Sequence, residues 1–157
     1  MNFRFETSPE KIIAGLPVFG KPDSGIFSKA WDMFVPIMDK IPNVVSPQLS
    51  YGVEWYTNEF MQTGELFYMP GVEISDTYGL PTPFAIKIIP AAEFVVFEAI
   101  GGIKGIHQVW NYFHSTWKNE NGYDISVGID FELYDERFKG IDDPETIIEI
   151  HIPVYKI

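Results

Sequence analysis

The residues most able to do chemistry lie in one short acidic and aromatic stretch near the end of the chain, Asp130-Phe131-Glu132-Leu133-Tyr134. Alternate side chains of a β-strand point to the same face, so Asp130, Glu132 and Tyr134 share one face of this stretch. A carboxylate among aromatic rings on a sheet face loses hydration, and a bound cation compensates, with each ring adding about 0.5–2 kcal/mol. Alternation alone leaves two interpretations of Glu132 open, a solvated residue on an open sheet face and a carboxylate that binds a cation.

Other residue types that support catalysis or metal binding are present at unsuitable spacings. His107 and His114 do not have the i, i+4 spacing of helical zinc ligands, and His151 lies in a different segment. The glycines of the 101–105 segment lack the spacing and the Lys-Ser/Thr ending of a phosphate-binding loop. No Gly-x-Ser-x-Gly elbow or Ser-His-Asp order is present. We therefore expect neither a metal nor a cofactor.

Charge and composition limit the classes of partner. Of the 157 residues, 22 are acidic and 11 are Lys or Arg, which gives a net charge of −11. A chain so poor in cations has little to offer the phosphates of nucleic acid or an anionic membrane surface. It attracts cationic ligands or basic protein surfaces instead, so we expect a hydrophobic or cationic small molecule as partner, with a protein partner left open.

The absence of cysteine excludes disulfides, thiolate metal sites and a cysteine nucleophile. The N-terminus lacks the basic start and apolar run of a signal peptide, and no segment approaches the ~20 apolar residues of a spanning helix. These features predict a cytoplasmic protein. The length predicts a single domain over 1–157.

Hydrophobic periodicity supplies the elements that must position Glu132. Strands are predicted at 11–19, 51–57, 65–75, 92–100, 128–135 and 146–154, and helices along the apolar stripes Ile26–Met38 and Ile106–Trp117. Ser24 is a candidate cap for the first helix, and Pro36 should kink or split it.

The order of these elements repeats, as strand, helix, strand, strand, in halves of about 1–80 and 81–157, which indicates a duplication. The predicted fold is α+β, with the duplicated modules forming a curved, antiparallel-rich sheet of about eight strands. Each helix has one apolar stripe to bury, so both helices should pack on one face. We expect the ligand site on the opposite face. One of two alternating aromatic sets must point there: Tyr56, Phe67, Phe97 and Tyr134, or Tyr51, Trp55 and Tyr68.

The second half also carries a series of family marks. Trp117 ends the second helix, Gly122-Tyr123 follows, the Phe131-Glu132-Leu133-Tyr134 strand comes next, and the last strand reaches Ile152-Pro153. In this order the marks resemble the GyrI-like small-molecule-binding domains, which include the effector-binding halves of multidrug-sensing transcription activators. The segments around Tyr51-Gly52-Val53 and Pro70-Gly71-Val72 are similar to the first half of that family. No helix-turn-helix or basic segment is present, so the chain resembles the stand-alone members.

The resemblance implies roles for particular residues. Glu132 takes the position of the family carboxylate at the bottom of an aromatic pocket that binds lipophilic cations. The candidate ligand-binding residues are Glu132, Tyr51, Trp55, Tyr68, Trp110 and Tyr134. For Trp110, which lies on a helical apolar stripe, packing in the core is the competing interpretation.

Three functions follow from the resemblance. The first is a non-enzymatic protein that captures bulky, planar, hydrophobic or cationic compounds in an aromatic groove. The second is a hydrolase that opens the cyclopropane ring of DNA-alkylating natural products, with Glu132 activating water and Tyr68 donating a hydrogen bond near the electrophile. The third is a protein-interaction module like the gyrase-inhibitor relatives, with an acidic surface docking on a basic one.

Overall fold

The chain folds into two compact units, one contiguous and one composite. The computed structural model describes residues 1–157. Residues Glu10–Pro90 form the contiguous unit, and Met1–Pro9 together with Ala91–Ile157 form the composite unit. The boundary between the halves therefore lies at Pro90, and the first residues of the chain belong with its second half.

Ten strands and four α-helices make up the two units. In chain order they are β1 (Phe3–Ser8), β2 (Lys11–Gly15), β3 (Val18–Gly20), α1 (Ile26–Phe34), β4 (Ser50–Trp55), α2 (Phe60–Thr63), β5 (Leu66–Ile74), β6 (Ala85–Ile89), β7 (Ala92–Ile100), α3 (Ile103–Tyr112), α4 (Lys118–Asn121), β8 (Tyr123–Ile125), β9 (Ile129–Tyr134) and β10 (Ile147–Lys156). Short 3-10 helices occupy Pro22–Ser24 and Val35–Lys40, and a π-helical segment, Phe113–Trp117, continues α3. None of the helices is long and apolar enough to cross a membrane.

The contiguous unit is an antiparallel sheet in the order β6-β2-β5-β4, with β3 also paired to β5, and α1 packed on one face. Ala30 and Phe34 of α1 are fully buried, as their helical spacing predicted, and Phe34 joins Ala14, Val72 and Ile74 of the sheet in one core.

Two local predictions about α1 can be compared with the structure. The α-helix stops at Phe34 and a 3-10 helix that includes Pro36 follows, so the predicted split at the proline is confirmed. The N-cap residue by geometry is Gly25. The Ser24 hydroxyl nevertheless accepts a 3.4 Å hydrogen bond from the backbone N–H of Ile26.

The composite unit repeats the arrangement as β1-β7-β10-β9, with β8 also paired to β10 and α3 packed on one face. Its core joins Phe97 of β7 and Ile150 of β10 to Val109, Phe113 and Trp117 of the helical segment. The predicted α+β architecture of duplicated antiparallel modules is confirmed. Each unit has five strands. The predicted strand at 11–19 is divided into β2 and β3, and β6 in the contiguous unit and β1 and β8 in the composite unit lie where the sequence analysis placed none.

The predicted position of Glu132 relative to the helices is wrong. Glu132 is the register partner of Ile150, and directly paired residues of antiparallel strands point to the same face. Ile150 packs under Phe113 and Trp117. Glu132 therefore lies on the helix-bearing face of its unit, and so does Phe97, the register partner of Ile150 on β7.

Each of the two predicted aromatic sets is divided between the two faces of the sheet. In the contiguous unit Tyr68 stacks on Phe27 of α1, which places Tyr68 on the helix-bearing face. Trp55 pairs with Phe67, the neighbour of Tyr68 on β5, so Trp55 and Tyr51 point to the other face by alternation. Glu132 and Tyr68 thus each lie on the helix-bearing face of their own unit.

Candidate functional site

Glu132 lies at the centre of β9 with its carboxylate almost fully buried, at 6% exposure. The hydroxyl of Tyr134, two residues further along the same face, donates a 2.8 Å hydrogen bond to Oε1 of Glu132. A hydrogen bond to a charged group contributes about 1.5–3 kcal/mol, which offsets part of the cost of burying the carboxylate. The structure thus brings together two of the predicted site residues, and the carboxylate of Glu132 is removed from water.

Trp110 lies on α3 and packs against the same core as Tyr134. Its ring meets Phe113 edge-on and stacks on His114, with centroids 5.7 Å apart. Burial lowers the pKa of His114, with the nearby Lys118 acting in the same direction and Asp124 opposing them. Trp110 therefore adjoins a neutral imidazole near neutral pH, so its aromatic surface is not covered by a permanent cation.

Tyr68 belongs to the contiguous unit and is buried on β5 at 2% exposure. Its ring is parallel to that of Phe27, with a centroid separation of 4.2 Å, and its hydroxyl accepts a 2.8 Å hydrogen bond from Nε1 of Trp31. A phenol that accepts from an indole retains its own hydrogen for donation. The bond from Trp31 and the stacking on Phe27 therefore fix the position of the Tyr68 ring and hydroxyl.

Tyr51 and Trp55, the remaining predicted residues, share the face of β4 that points away from α1. Trp55 stacks on Phe67 with centroids 5.2 Å apart, and the ammonium of Lys87 lies 4.4 Å from the Trp55 ring centroid. This tryptophan already has a cation within its own unit. It does not share a face with Tyr68, so the sequence-predicted set is divided between the two faces.

A second carboxylate with a tyrosine two residues on was missed by the sequence analysis. Glu54 of β4 is 9% exposed, and the hydroxyl of Tyr56 lies 3.4 Å from its Oε2. Glu54 is the register partner of Tyr68, so it too lies on a helix-bearing face. The signal was available, because Glu54-Trp55-Tyr56 repeats the Glu-x-Tyr pattern of Glu132-Leu133-Tyr134 at the corresponding place of the duplication.

A network of ion pairs occupies the other face of the composite unit. Glu149 of β10 accepts hydrogen bonds from Arg4 at 3.1 and 3.2 Å and from Arg137 at 2.9 Å, and its Oε1 lies 3.0 Å from Nε2 of His151. The contact with His151 and then those with the two arginines hold the pKa of Glu149 far below its usual range, against the opposing effect of burial. Arg137 also binds Asp135 at 2.7 Å. These carboxylates are paired with the protein's own cations.

No group of three His, Asp or Glu side chains is arranged to hold a metal ion. A surface depression of about 440 Å³ in the composite unit lies at Met1, Ile100 and Gln108 and contains none of the predicted site residues. The chemistry available at Glu132 is therefore that of a buried carboxylate with a phenol donor.

Almost the whole chain is similar in sequence to known proteins. A family model of the GyrI-like small molecule binding domain matches residues 1–155. The transcriptional regulator BrlR of Pseudomonas aeruginosa is 28% identical over 155 residues, which are 99% of this chain and 56% of BrlR. The chain thus spans little more than half of that relative's length.

Solved structures share the fold. The structure of SAV2435 bound to tetraphenylphosphonium has a TM-score of 0.76 and 16% identity, over 99% of this chain and 94% of that one. A hydrolase encoded by lin2189 of Listeria innocua has a TM-score of 0.61 and 16% identity, over 98% of this chain and 91% of that one. At such identities the likeness shows a common fold.

Proposed function

This chain belongs to the family of GyrI-like small-molecule-binding domains, as its motifs predicted, and from that membership we propose that it captures bulky, planar, hydrophobic or cationic molecules in an aromatic site centred on Glu132. The observation that carries the proposal is the burial of a carboxylate whose hydrogen-bond partner is the phenol of Tyr134. A relative of the same fold has been solved with tetraphenylphosphonium, an aromatic cation of the proposed class.

The physical argument concerns the charge on Glu132. Removing a carboxylate from water is costly, and the hydrogen bond from the phenol of Tyr134 restores part of the lost solvation. A cation with aromatic substituents supplies the opposite charge without requiring hydration of its own, and Tyr and Trp rings attract it further. The net charge of −11 raises the local concentration of such cations.

The helix-bearing face of the composite unit supplies the aromatic groups of the proposal. Tyr134 and Trp110 both pack against the core that contains Ile150, the register partner of Glu132. Tyr68 lies in the contiguous unit and is omitted from the proposal, which concerns the composite unit alone. Tyr51 and Trp55 are omitted from the proposal because they point to the other face.

Calorimetric titration with methyltriphenylphosphonium, and with triphenylphosphine oxide as a neutral compound of similar shape, tests the proposal. Substituting Glu132→Gln should weaken binding of the cation about tenfold, a loss of about 1.4 kcal/mol, and leave binding of the oxide unchanged. Glu136→Gln, at an exposed position of the same segment, is the matched control. Unchanged affinity of Glu132→Gln for the cation would overturn the role of the carboxylate.

Hydrolysis is the second candidate, favoured by the hydrolase of Listeria innocua with the same fold. Glu132 would take a proton from water as the water oxygen bonds to a ring carbon of the cyclopropane. The ring C–C bond would break, its electron pair would pass to a conjugated carbonyl of the alkylator, and the carbonyl oxygen would take up the proton from Glu132. Incubation with excess cyclopropane-bearing alkylator, followed by mass spectrometry, should reveal a product heavier by one water. Its absence leaves the binding function alone.

A further inference from the structure

We propose that two copies of this chain associate through β1, an outer strand of the composite unit. β1 pairs with β7 along all six of its residues, Phe3 to Ser8, and no strand pairs with its other side. The peptide groups along such an edge can form a hydrogen-bonded ladder with another extended segment. A second copy of β1 placed there would continue the sheet of one protomer into that of the other.

β1 lacks the features that usually keep strand edges from pairing. These features are lysine and proline residues on the strand and bulges in its ladder. β1 has no lysine or proline, and its register with β7 runs without interruption from one end of the strand to the other. Phe3 and Phe5 are 39% and 43% exposed, although both pack against Trp117. Part of each ring is therefore left for a neighbouring chain, in a position that the core already fixes.

The charges of β1 identify both the partner and the register. In an antiparallel pair related by a two-fold axis, one residue lies opposite its own copy. A pair centred on Arg4 or on Glu6 would set like charges directly opposite each other, which is destabilising. A pair centred on Phe5 instead sets Arg4 opposite Glu6 of the second copy, twice by symmetry. β1 is thus complementary to itself, and this selects a second copy of the chain over an unrelated peptide.

Arg4 and Glu6 are positioned to make these contacts. Their side chains are 47% and 42% exposed, and they already lie 3.2 Å apart within one chain. Arg4 also binds Glu149 at 3.1 Å, which holds its guanidinium beside the sheet. An exposed ion pair contributes little to stability, so exchanging the pair within one chain for the equivalent pair across the interface costs little.

The association should be weak. An interface of one strand falls below the roughly 1,200 Å² of stable complexes, and each copy carries a net charge of −11, so the copies repel at long range. We therefore expect dimers at protein concentrations of roughly 10–100 µM, measured by sedimentation equilibrium of the full chain. A protein that remains monomeric at about 300 µM would overturn the inference.

A charge substitution on β1 tests the register. Glu6→Lys would face Arg4 of the second copy with a like charge, so the dissociation constant of the dimer should rise about tenfold or more. Glu10→Lys makes the same change in net charge at an exposed residue beyond β1, and it should leave the dissociation constant as in the wild type. Equal effects of the two substitutions would contradict the pairing of Arg4 with Glu6.

Cysteine crosslinking tests which residues face each other, because the chain has no cysteine of its own. In the proposed pair the Cα atoms of residue 5 in the two copies lie about 4.5–5.5 Å apart, within the range that a disulfide spans. Mild oxidation of Phe5→Cys should therefore yield a covalent dimer. Residue 3 lies opposite residue 7 of the second copy and about 14 Å from that copy's residue 3, so Phe3→Cys should stay monomeric under the same conditions.

A mixture of Phe3→Cys with Thr7→Cys should crosslink, and it gives the same test if Phe5→Cys does not fold. Crosslinking of Phe3→Cys alone as fast as Phe5→Cys would indicate random collision and would rule out the register. A wild-type dimer for which neither Phe5→Cys nor the mixture crosslinks would show that the copies associate through another surface, which also overturns the inference.

Discussion

The hydroxyl of Tyr134 and the carboxylate of Glu132 are joined by a 2.8 Å hydrogen bond between residues of one strand and one sheet face. The bond is made without a turn or a second element, because the two-residue period of a strand brings both side chains to the same side. It stabilises a buried negative charge.

Substituting Tyr134→Phe should lower the free energy of unfolding by about 1–2 kcal/mol, since it removes the phenol donor and leaves the carboxylate buried. Methyltriphenylphosphonium should still raise the melting temperature of this variant, because the charge of Glu132 is intact. Chemical denaturation and thermal shift assays measure the two effects. Tyr155→Phe, at a half-exposed tyrosine, is the control. A variant as stable as the wild type would show that the hydrogen bond is not formed in solution.

Cation binding should weaken as salt increases. With a net charge of −11, attraction of a cation is long-range, and raising the ionic strength from about 0.01 to 0.15 M shortens the screening length from roughly 30 to 8 Å. The dissociation constant of methyltriphenylphosphonium should rise over this range and that of triphenylphosphine oxide should not. Parallel salt responses of the two compounds would argue that charge has no part in binding.

Acid should destabilise the composite unit through Glu149. Its carboxyl pKa is lowered on folding from an ordinary value of 4.5 by His151, Arg4 and Arg137, so the folded state binds fewer protons than the unfolded state. The stabilisation is therefore complete above about pH 4.5 and is lost progressively as the pH falls below it. Urea denaturation from pH 7 to pH 3 should show this slope.

In Glu149→Gln the slope should be reduced, and stability at pH 7 should fall by about 1–3 kcal/mol because two arginines lose a charged acceptor. Glu145→Gln removes an exposed partner of Lys139 and should change stability by less than about 0.5 kcal/mol. An unchanged pH profile in Glu149→Gln would show that other carboxylates govern acid unfolding.

Gly102 is required by the turn into α3. Its φ of 70° and ψ of −135° suit glycine alone, and an added Cβ would overlap the carbonyl oxygen of Ile141. Gly102→Ala should therefore destabilise the protein by about 3 kcal/mol or more. Gly122→Ala is the matched control, because Gly122 also has a positive φ but a Cβ there meets nothing within 4 Å, so its cost should be about 1 kcal/mol. Similar melting temperatures for the two variants would contradict the steric argument.

The elements with strong periodicity were predictable from the sequence. The strand at 92–100 is observed with those bounds, and the alternation of Ile148, Ile150 and Ile152 identified one core face. β1 was missed although Phe3 and Phe5 alternate with Arg4 and Glu6, because the N-terminus was considered only as a targeting signal. Its partner strand lies at the other end of the sequence, so no local pattern indicates the pairing.

The residues of the candidate site were more predictable than the sheet face on which they lie. Alternation correctly grouped Asp130, Glu132 and Tyr134, but it cannot say which face a helix covers. The sequence analysis places Glu132 on the face without helices, because each helix has one apolar stripe to bury. Ile150 and Glu132 are neighbours on one face, however, so the helix-bearing face is apolar at β10 and polar at β9. This choice depends on tertiary packing that strand periodicity does not contain.

The pairing of β1 with β7 imposes an order on the synthesis of the protein. Residues 10–90 contain every strand of the contiguous unit, so this unit can form as soon as that stretch has left the ribosome. Residues 3–8 are synthesised before residues 92–100 and stay unpaired, with Phe3 and Phe5 uncovered, until residues 92–100 provide their partner. We expect a nascent chain halted before residue 92 to expose Phe3 and Phe5 on an unpaired segment, to which a chaperone would bind.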